Sequence, residues 1–538
     1  AVLPVCTHLR RAFIPMRFEP RALGGPQGSV ELAPSPHRYL RQRYSPQVGV
    51  CTPCFRSSLY RWRWAVCCSG FSSKMTDKCL WFPHIENGDD RTALIDSDQI
   101  LSYSGLSARV NRVVGGLLDG ADSLYEERVG FLYPASFDYA ALIIGVVAAG
   151  GVAVPLSVHA SADELAHCLS VAGVKRLVLP DSLRSEALND VCAGLAITQL
   201  AIDALPSAVA PDAWPIRSEQ GALVVFTSGT TGKPKGVVHT VASISAMVTS
   251  LIAAWGWLED DAIPLFLPLH HVHGIVNILL CALWRGATVH LYARFDAECV
   301  SRAVAEDRFS VFMAVPTIYV KLIAYLKTVS DTECDRITEG FANMRLTVSG
   351  SAACPVSLFE AWEALTSQRF LERYGMTELG MALSNPYTGE RRPGHVGQPL
   401  PAVMVKRVDE SGAEVMDPAT PGELAVRSPT VFREYWGDPE ATRAAFSDGW
   451  FLTGDIAVLE DGAYRILGRA SIDIIKSGGY KLSALEIEAT LLEHPSVIEV
   501  AVIGVPDDEW GEIVAAAIVL DTPTEEAALI AFSREKMS

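Results

Sequence analysis

Apolar positions from about Leu80 onward alternate between helical spacing and short continuous runs. Helical spacing covers three long segments, Ser104–Leu118, Glu164–Ala172 and Ala484–Leu492. Short apolar runs predict strands at Arg128–Leu132, Val152–Pro155, Lys175–Leu179, Leu223–Phe226, Arg345–Val348 and Ile498–Val505. Because such alternation is typical of parallel sheets covered by helices, the pattern predicts the α/β class.

One uncharged stretch is long enough to raise the question of a membrane span. Tyr139–Ala162 contains no Asp, Glu, Lys or Arg. Gly150 and Gly151 interrupt the stretch, however, and Pro155 follows them. We therefore predict a buried helix over about Phe137–Ala149, followed by a short buried strand inside a large core.

Three polar, glycine-containing loops each follow a predicted strand. They are Thr227–Lys235, Ser349–Ala352 and Tyr374–Glu378. Open α/β sheets bind ligands at the carboxyl ends of their strands, so we expect the three loops to meet at one sheet edge.

The pattern changes after about Gly422. Gly422–Val426 and Tyr464–Ile466 predict a β-rich subdomain, and a small α+β unit begins near Arg469–Ile472. The predicted organisation is a basic leader (1–75), a large domain of parallel-type sheets packed with helices (76–469), and a partial C-terminal domain (470–538).

The net charge of −17 conceals an asymmetry along the chain. Residues 1–75 carry eleven Arg or Lys and two Glu, whereas the other 463 residues carry 34 basic and 60 acidic ones. An Arg-rich, acid-poor leader is typical of a mitochondrial transit peptide; the alternative is non-native sequence, with Met16 or Met75 as candidate starts. The acidic body argues against nucleic acid as a partner.

Twelve cysteines are present, and their spacing does not suggest a disulfide framework. Cys51 and Cys54 form a Cys-x-x-Cys pair, but no second ligand pair follows, which argues against zinc. Seven scattered cysteines beyond the leader are typical of reduced thiols in a large enzyme.

The loop Thr227-Ser-Gly-Thr-Thr-Gly-Lys-Pro-Lys235 carries the strongest chemical signal. Its hydroxyls, glycines and two lysines are suited to holding phosphates, because glycine lets the backbone approach an anion closely. Pro234 stands where a Walker A loop has Ser or Thr, and Thr227 stands in place of its first Gly. The loop is therefore predicted to be a phosphate clamp of another kind.

This loop resembles the signature of the acyl-CoA synthetase, luciferase and nonribosomal-adenylation superfamily. Further motifs match the superfamily in order: Gly150–Pro155, Pro268–Gly274, Tyr374–Glu378, Gly449–Asp455 and Gly468-Arg469. The resemblance covers roughly residues 80–538. It implies a large domain with a β-rich subdomain and a small, mobile C-terminal domain.

The resemblance implies two half-reactions and three small-molecule partners: ATP with Mg²⁺, a carboxylic acid, and coenzyme A. It assigns catalytic roles to Thr377, Glu378 and Lys233, with Glu378 holding Mg²⁺. It assigns ATP or AMP binding to Thr227, Ser228, Gly229, Thr230, Thr231, Gly232, Lys235, Gly350, Ser351, Ala352, Tyr374, Gly375, Met376, Asp455 and Arg469. It assigns coenzyme A binding to Ser477, Gly478, Gly479 and Lys481, and leaves Ser471 and Asp473 as alternative hinge residues.

The string Leu267–Gly274 and the segments Val311–Tyr319, Leu371–Glu378, Phe432–Trp436 and Ser471–Lys476 resemble malonyl-CoA synthetases, including the mitochondrial enzymes that act on malonate and methylmalonate. That resemblance implies fatty acid metabolism in the mitochondrial matrix. A buried distal carboxylate needs a partner, and the candidates are His271, His273, Arg345 and Arg373. Another short-chain acyl-CoA synthetase is the alternative.

The end of the chain raises a second alternative. The superfamily's adenylation lysine lies in a late Gly-Lys motif, and Lys536-Met-Ser538 resembles sequence that precedes that motif. We expect a chain without this lysine to bind ATP or an adenylate but to adenylate slowly, because loss of a transition-state cation costs ~10²–10³-fold in rate.

Overall fold

The computed structural model describes residues 10–16, 81–227, 234–477, 480–507 and 510–536. The α-helices in these ranges are α1 Pro83–Asn87, α2 Tyr103–Leu118, α3 Phe137–Ala148, α4 Ala162–Ala172, α5 Glu186–Gly194, α6 Val241–Trp255, α7 Cys281–Arg285, α8 Ala297–Ala305, α9 Pro316–Leu326, α10 Asp331–Asn343, α11 Val356–Thr366, α12 Pro439–Ala444, α13 Ala484–Leu492 and α14 Glu526–Lys536. Two 3₁₀ turns, Asp181–Leu183 and Ile202–Ala204, and a π-helix, His273–Leu280, accompany them.

The strands in the described ranges form five sheets. They are β1 Arg10–Met16, β2 Thr92–Asp96, β3 Gln99–Ser102, β4 Arg128–Phe131, β5 Val152–Pro155, β6 Arg176–Val178, β7 Thr198–Leu200, β8 Gly221–Phe226, β9 Gly236–Thr240, β10 Ala262–Leu265, β11 Thr288–Leu291, β12 Val311–Ala314, β13 Leu346–Ser349, β14 Leu371–Met376, β15 Gly380–Ser384, β16 Gln398–Pro399, β17 Met404–Val408, β18 Gly422–Arg427, β19 Glu434–Tyr435, β20 Phe446–Ser447, β21 Trp450–Glu460, β22 Ala463–Arg469, β23 Ile474–Ser477, β24 Tyr480–Ser483, β25 Val497–Asp507 and β26 Gly511–Leu520.

Two mixed sheets provide most of the site described below. The seven-stranded sheet has the order β19-β9-β8-β5-β4-β6-β7, parallel from β8 through β7 and antiparallel at β9 and β19. The five-stranded sheet has the order β12-β13-β14-β15-β16, with β12, β13 and β14 parallel. This architecture confirms the predicted α/β class.

Three further sheets complete the described fold. A four-stranded sheet has the order β10-β11-β2-β3, and an antiparallel sheet has the order β17-β18-β21-β20 with β22 beside β21. The fifth sheet, β1-β26-β23-β24 with β25 beside β26, includes a strand from the predicted leader, because β1 pairs with β26 from Arg10 to Met16. No secondary structure was predicted for this segment from the sequence.

The long uncharged stretch is buried in the core, as predicted. Almost every residue of α3 is buried, as is all of β5, which follows the turn at Gly150. Ser136 caps α3 by accepting a hydrogen bond from the Tyr139 N–H, 3.2 Å away. No helix in the described part of the chain has both the length and the hydropathy to cross a membrane.

The prediction that three loops meet at the edge of a single sheet was wrong. Thr227 follows β8 in the seven-stranded sheet, whereas Ser351 follows β13 in the five-stranded sheet. Residues 374–376 belong to β14 itself, so only Thr377, Glu378 and Leu379 form the turn into β15. The site is therefore built by two sheets whose strand ends face a common cavity.

Arg345 is held in an ion pair within the fold. Its Nε lies 2.7 Å from Oδ1 of Asp261, its Nη1 donates to the Trp255 carbonyl at 3.0 Å, and its guanidinium lies over the Tyr387 ring. The Asp261 side chain is 1% exposed, so this carboxylate depends on Arg345 for its counter-charge. The interpretation of Arg345 as a substrate-carboxylate ligand is therefore corrected.

We expect Arg345→Met to lower the free energy of unfolding by about 3–5 kcal/mol, because it leaves the Asp261 charge buried without a partner. Equilibrium urea unfolding followed by tryptophan fluorescence measures this loss. The matched control is the double variant Arg345→Met/Asp261→Asn, which removes both charges and should recover a large part of the stability. A loss of less than about 1 kcal/mol in the single variant would contradict the assignment.

Candidate active site

A cavity of about 620 Å³ lies where the two mixed sheets face the antiparallel subdomain. The seven-stranded sheet contributes Thr227, Lys235 and Tyr435, and the five-stranded sheet contributes Ser351, Arg373 and the turn after β14. The antiparallel sheet adds residues 451–453 and Arg469. Most candidates from the sequence that fall in the described ranges therefore converge on this cavity or on the smaller one beside it.

Two hydrogen bonds to backbone carbonyls hold the two ends of the predicted phosphate clamp. The Thr227 N–H donates to the Lys235 carbonyl at 3.1 Å, which brings the two ends of the loop together. The Pro234 carbonyl is 2.8 Å from Nε2 of His167, and this ring nitrogen donates because a carbonyl only accepts. The other predicted clamp residues, Ser228, Gly229, Thr230, Thr231, Gly232 and Lys233, lie outside the described residues.

The turn after β14 presents Thr377 and Glu378 to the cavity. At Gly375 the register of β14 against β15 shifts, and a Cβ there would lie 2.0 Å from the Gly380 carbonyl oxygen. Only glycine therefore permits this approach of the two strands. Gly375 and Met376 line the cavity ahead of the turn.

Two hydrogen bonds hold the backbone of this turn, one from β9 and one from the segment that leads into β19. The Thr377 carbonyl accepts from Nε2 of His239 at 2.7 Å, and the Glu378 carbonyl accepts from the Phe432 N–H at 2.7 Å. His239 is fully buried, and burial lowers its pKa to about 4, so the ring is neutral. Its single N–H is therefore on Nε2, which fixes the tautomer.

Glu378 has a buried carboxyl group with one oxygen engaged. The group is 7% exposed, and Oε1 accepts from the Tyr435 hydroxyl at 2.9 Å. Burial raises the pKa of Glu378, and the Tyr435 hydrogen bond opposes that rise. No other described residue donates a hydrogen bond to Oε2, so this oxygen is available to a ligand in the cavity that Glu378 lines.

The single carboxylate of Glu378 is compatible with a Mg²⁺ ion that is bound mainly by the phosphates of a nucleotide. No cluster of three or more His, Cys, Asp or Glu side chains able to hold a metal occurs among the described residues. Mg²⁺ typically takes one or two carboxylates and fills its shell with phosphate oxygens and water. The free oxygen of Glu378, facing the cavity beside Thr377, meets that requirement.

His239 and Tyr435 were not predicted as site residues. Their partners are 138 and 57 positions away in the chain, so no local spacing reveals them. One signal was present for His239: a histidine inside the apolar run 237–241 needs a hydrogen-bond partner when buried. Tyr435 lay in a segment noted only for its family resemblance.

A second cavity of about 210 Å³ adjoins the first and is lined by Gly350, Ala352 and Tyr374. The Tyr374 hydroxyl donates to Oδ2 of Asp455, and Nε of Arg469 donates to Oδ1 at 3.1 Å. Asp455 is only 7% exposed, and these two hydrogen bonds hold its carboxylate in place. The predicted base and ribose residues are thus close together.

Glu372 lies in the same smaller cavity and differs from Asp455 in its surroundings. It is 5% exposed, and its carboxyl accepts one hydrogen bond, from the Gly394 N–H at 3.0 Å. No described basic side chain forms an ion pair with it. Burial therefore raises its pKa to about 8.

Arg373 is a buried cation at the wall of the larger cavity. It is 3% exposed and donates through Nη2 to Ser351 Oγ at 3.1 Å, while its Nε has no partner among the described residues. No described carboxylate forms an ion pair with it. Burial lowers its pKa to about 10, so the group remains charged near neutral pH. The guanidinium packs over Gly350, where a Cβ would lie 2.7 Å from Cζ.

His273 extends this arrangement. Its Nδ1 lies 3.1 Å from Ser351 Oγ, and its Nε2 is buried without a partner in the described structure. Burial, followed by the Arg373 charge, holds the pKa of His273 well below its usual range, so the ring is neutral. In the tautomer in which the Ser351 hydroxyl donates to His273 Nδ1, the ring proton lies on Nε2, where it has no partner among the described residues.

A hydrogen bond from a helix residue holds the backbone of the segment that carries His271 and His273. The Tyr139 hydroxyl donates to the Leu269 carbonyl, and His273 begins the π-helix. π-Helical turns occur frequently at functional sites because they shift side chains out of α-helical register. His271 lines the cavity at an exposed position, beside the ring of His270.

The two candidates for coenzyme A binding that the structure describes, Ser477 and Lys481, line neither cavity. Ser477 ends β23 and is buried, and Lys481 lies in β24 with its Nζ 2.9 Å from Oε1 of Glu410. Gly478 and Gly479 lie outside the described residues. Of the two hinge candidates, Asp473 accepts from the Arg469 N–H at 2.8 Å.

Family models match both parts of the chain. The model of the AMP-binding enzyme matches residues 83–436, and that of the AMP-binding enzyme C-terminal domain matches residues 486–538.

Curated relatives match over most of their length. The chain is 44% identical over 471 residues to the mitochondrial malonate–CoA ligase ACSF3 of Bos taurus, covering 80% of each protein. It is 37% identical over 484 residues to the malonate–CoA ligase of Arabidopsis thaliana, covering 83% of this chain and 79% of that protein.

Solved structures show the same architecture. ATP-bound MatB from Rhodopseudomonas palustris superposes with a TM-score of 0.76 at 32% identity, covering 85% of this chain and 92% of that chain. A malonyl-CoA ligase in a ternary product complex with methylmalonyl-CoA and AMP gives a TM-score of 0.65 at 36% identity, with coverages of 84% and 95%.

The raised pKa of Glu372 predicts a pH-dependent stability. Between its ordinary pKa of 4.5 and about 8, the folded state holds a proton that the unfolded state releases, so stability falls as pH rises through this window. One such group contributes a slope of up to about 1.4 kcal/mol per pH unit. We expect Glu372→Gln to remove that contribution, so the variant gains stability relative to the parent between pH 5 and pH 8. Urea unfolding at several pH values measures the difference, and parallel curves for the two proteins would contradict it.

Proposed function

The chain belongs to the AMP-binding enzyme family, and we propose that it uses ATP to join malonate to coenzyme A. It is an acid–thiol ligase. In the first half-reaction a malonate carboxylate oxygen attacks the α-phosphorus of ATP, and pyrophosphate leaves to give malonyl-adenylate. In the second, the coenzyme A thiol attacks the acyl carbon, loses its proton and displaces AMP.

The observation that carries the choice of acid is the buried, unpaired charge of Arg373. A guanidinium in a low-dielectric wall is costly unless an anion joins it. The only carboxylate of a monocarboxylic acid reacts with ATP, whereas malonate has a second carboxylate that can pair with Arg373. The unpaired Nε–H of Arg373 supports a site for that distal carboxylate, and the unpaired Nε2 of His273 adds a second donor in the tautomer that is protonated there. His271 is assigned to the same end of the cavity.

Methylmalonate is the second substrate we propose. The similarity to a malonyl-CoA ligase crystallised with methylmalonyl-CoA and AMP supports this extension, because that relative accommodates the extra methyl group in its product complex. A single methyl group typically changes binding by only about 1 kcal/mol in an apolar setting.

The residues around the phosphates act by orientation and charge. We assign the clamp Thr227–Lys235, including Lys233, to the β- and γ-phosphates, and Thr377 to the α-phosphate. Charge develops on the phosphate oxygens as pyrophosphate leaves, and fixed donors stabilise that charge most when they need no rearrangement. The two backbone hydrogen bonds that hold the Thr377–Glu378 turn support this role.

Glu378 is the residue we assign to Mg²⁺. The ion would screen the phosphate charges, and the free Oε2 of Glu378 would be its protein ligand.

The nucleoside end of ATP is assigned to the smaller cavity. Tyr374 offers its ring to adenine, with Gly350, Ser351 and Ala352 around the base. Asp455 retains lone pairs on both oxygens for the ribose hydroxyls, although Tyr374 and Arg469 each donate to it. Ser477, Gly478, Gly479 and Lys481 remain our candidates for coenzyme A.

We also propose that the protein works in the mitochondrial matrix. The mitochondrial names of the bovine, human and mouse relatives and the basic leader support this location. Residues 1–75 fused to a fluorescent protein should enter mitochondria and become protected from protease in intact organelles. A fusion in which the eleven basic residues are changed to Gln is the control, and cytosolic fluorescence from the unaltered fusion would contradict the proposal.

The substrate assignment is tested with ATP–pyrophosphate exchange over malonate, methylmalonate, acetate and octanoate. We expect the highest kcat/KM with malonate and a lower but measurable value with methylmalonate, because only these acids can fill the Arg373 site. Equal or higher values with acetate would favour another short-chain synthetase. Thioester formation with added coenzyme A then tests the second half-reaction.

The same assay tests Arg373 directly. We expect Arg373→Met to lower the ratio of kcat/KM for malonate to kcat/KM for acetate by about a hundredfold, since removing one partner of a buried charge pair costs ~2–5 kcal/mol. The ratio serves as an internal control, because general damage to the site affects both acids. An unchanged ratio would overturn the role of Arg373.

A further inference from the structure

Tyr435 lines the larger cavity, and the function proposed above assigns it no role. It belongs to β19, a two-residue strand that pairs antiparallel with β9 and places Tyr435 opposite Val237. Because β9 begins directly after Lys235, the tyrosine lies beside the end of the phosphate clamp. Its position is therefore set by the same sheet that carries the clamp.

The Tyr435 side chain contacts two oppositely charged groups at once. Its hydroxyl donates to Oε1 of Glu378 at 2.9 Å, and Nζ of Lys235 lies over its ring, 4.9 Å from the centroid. An ionised carboxylate only accepts, so the direction of the hydrogen bond is fixed. The ammonium over the ring face is a cation–π contact.

Lys235 and Glu378 do not form an ion pair with each other in the described structure. Such a pair would neutralise the cation meant for the phosphates and occupy the carboxylate meant for the metal. Tyr435 gives each group a weaker partner instead, and it leaves Oε2 of Glu378 open. A carboxylate held through one oxygen keeps the other oriented for a metal ion.

The backbone around Tyr435 is fixed independently of any ligand. The Tyr435 N–H donates to Thr442 Oγ1 at 3.0 Å, and the Phe432 N–H donates to the Glu378 carbonyl at 2.7 Å. The Phe432 ring packs against the Tyr435 ring with centroids 4.7 Å apart. The tyrosine thus needs no rearrangement to hold Glu378.

We propose that Tyr435 is a positioning residue that presents the Glu378 carboxylate to a divalent cation while holding Lys235 apart from it. The inference rests on the proposed function through the assignment of ATP and Mg²⁺ to this cavity. It does not depend on which acid is activated.

The test measures equilibrium binding of ATP by calorimetry, once with Mg²⁺ and once with EDTA, in the absence of acid and coenzyme A. The quantity compared is the factor by which Mg²⁺ strengthens ATP binding. We expect Tyr435→Phe to reduce this factor roughly tenfold, because it loses a hydrogen bond to a charged group, while the affinity for metal-free ATP stays unchanged. Tyr435→Leu should also weaken metal-free ATP by roughly threefold, since the ring under Lys235 is lost.

The matched control is Tyr103→Phe in α2, which also removes a buried hydroxyl, one that donates to the Ala287 carbonyl at 2.7 Å. This control should lose stability to urea without any change in the Mg²⁺ factor. Glu378→Gln sets the scale by removing the metal ligand itself.

Two outcomes would overturn the inference, and they are distinguishable. If Glu378→Gln abolishes the Mg²⁺ factor and Tyr435→Phe leaves it at the parent value, Tyr435 does not position the carboxylate. If the parent protein and Glu378→Gln share the same Mg²⁺ factor, the metal role of Glu378 fails and the inference fails with it.

Discussion

The hydrogen bond from His239 to the Thr377 carbonyl joins the two sheets on which the candidate site depends. One sheet carries the ends of the proposed phosphate clamp and the other carries the Thr377–Glu378 turn, so a small shift between them would separate the groups that we assign to ATP. The bond is 2.7 Å long, the His239 side chain that makes it is fully buried, and the neutral ring donates to the carbonyl through Nε2. The Phe432 N–H adds a second link beside it. Catalysis by orientation requires such fixed geometry, because errors of about 1 Å are costly in rate.

Three ionisable groups that are buried or nearly so show how partners decide the role of a residue. Arg345 has Asp261 and is structural, whereas Arg373 has no carboxylate among the described residues and faces a cavity. Glu372 precedes Arg373 in β14, yet it is neutralised by proton binding instead of by an ion pair, as its pKa of about 8 indicates. Of the three groups, only Arg373 is a buried charge without a partner, so only Arg373 would be stabilised by an anionic ligand.

The sequence predicted the local elements well and the long-range partners poorly. Val152–Pro155 and Ala484–Leu492 match the structure residue for residue, because their apolar patterns end at clear Gly, Pro or Ser signals. The assignment of the polar loops to one sheet failed, since strand order depends on pairings between distant segments. Arg345 and Arg373 could not be distinguished for the same reason: both flank or occupy strands, and only the fold brings Asp261 to one of them. The family motifs supplied the candidate site residues, but not the neighbours that orient them.

A site for anionic substrates in an acidic protein needs a local field opposite to the net charge. Beyond residue 75 the chain carries 60 acidic and 34 basic residues, which on average repel ATP and a dicarboxylic acid. Salt screens exposed charges over about 8–10 Å, so distant surface acids contribute little inside a cavity. Charges at the cavity wall interact more strongly, because the dielectric constant there is lower than in water. Two cations lie at this wall: Arg373 has no counter-ion among the described residues, and the Lys235 ammonium lies over the Tyr435 ring. The acid at the wall, Glu378, accepts from the Tyr435 hydroxyl. Asp455 lies behind the lining residues and accepts from the Tyr374 hydroxyl and from Arg469. The two tyrosines therefore do more than fill space, because they allow carboxylates to stay in a site whose working charge must remain positive.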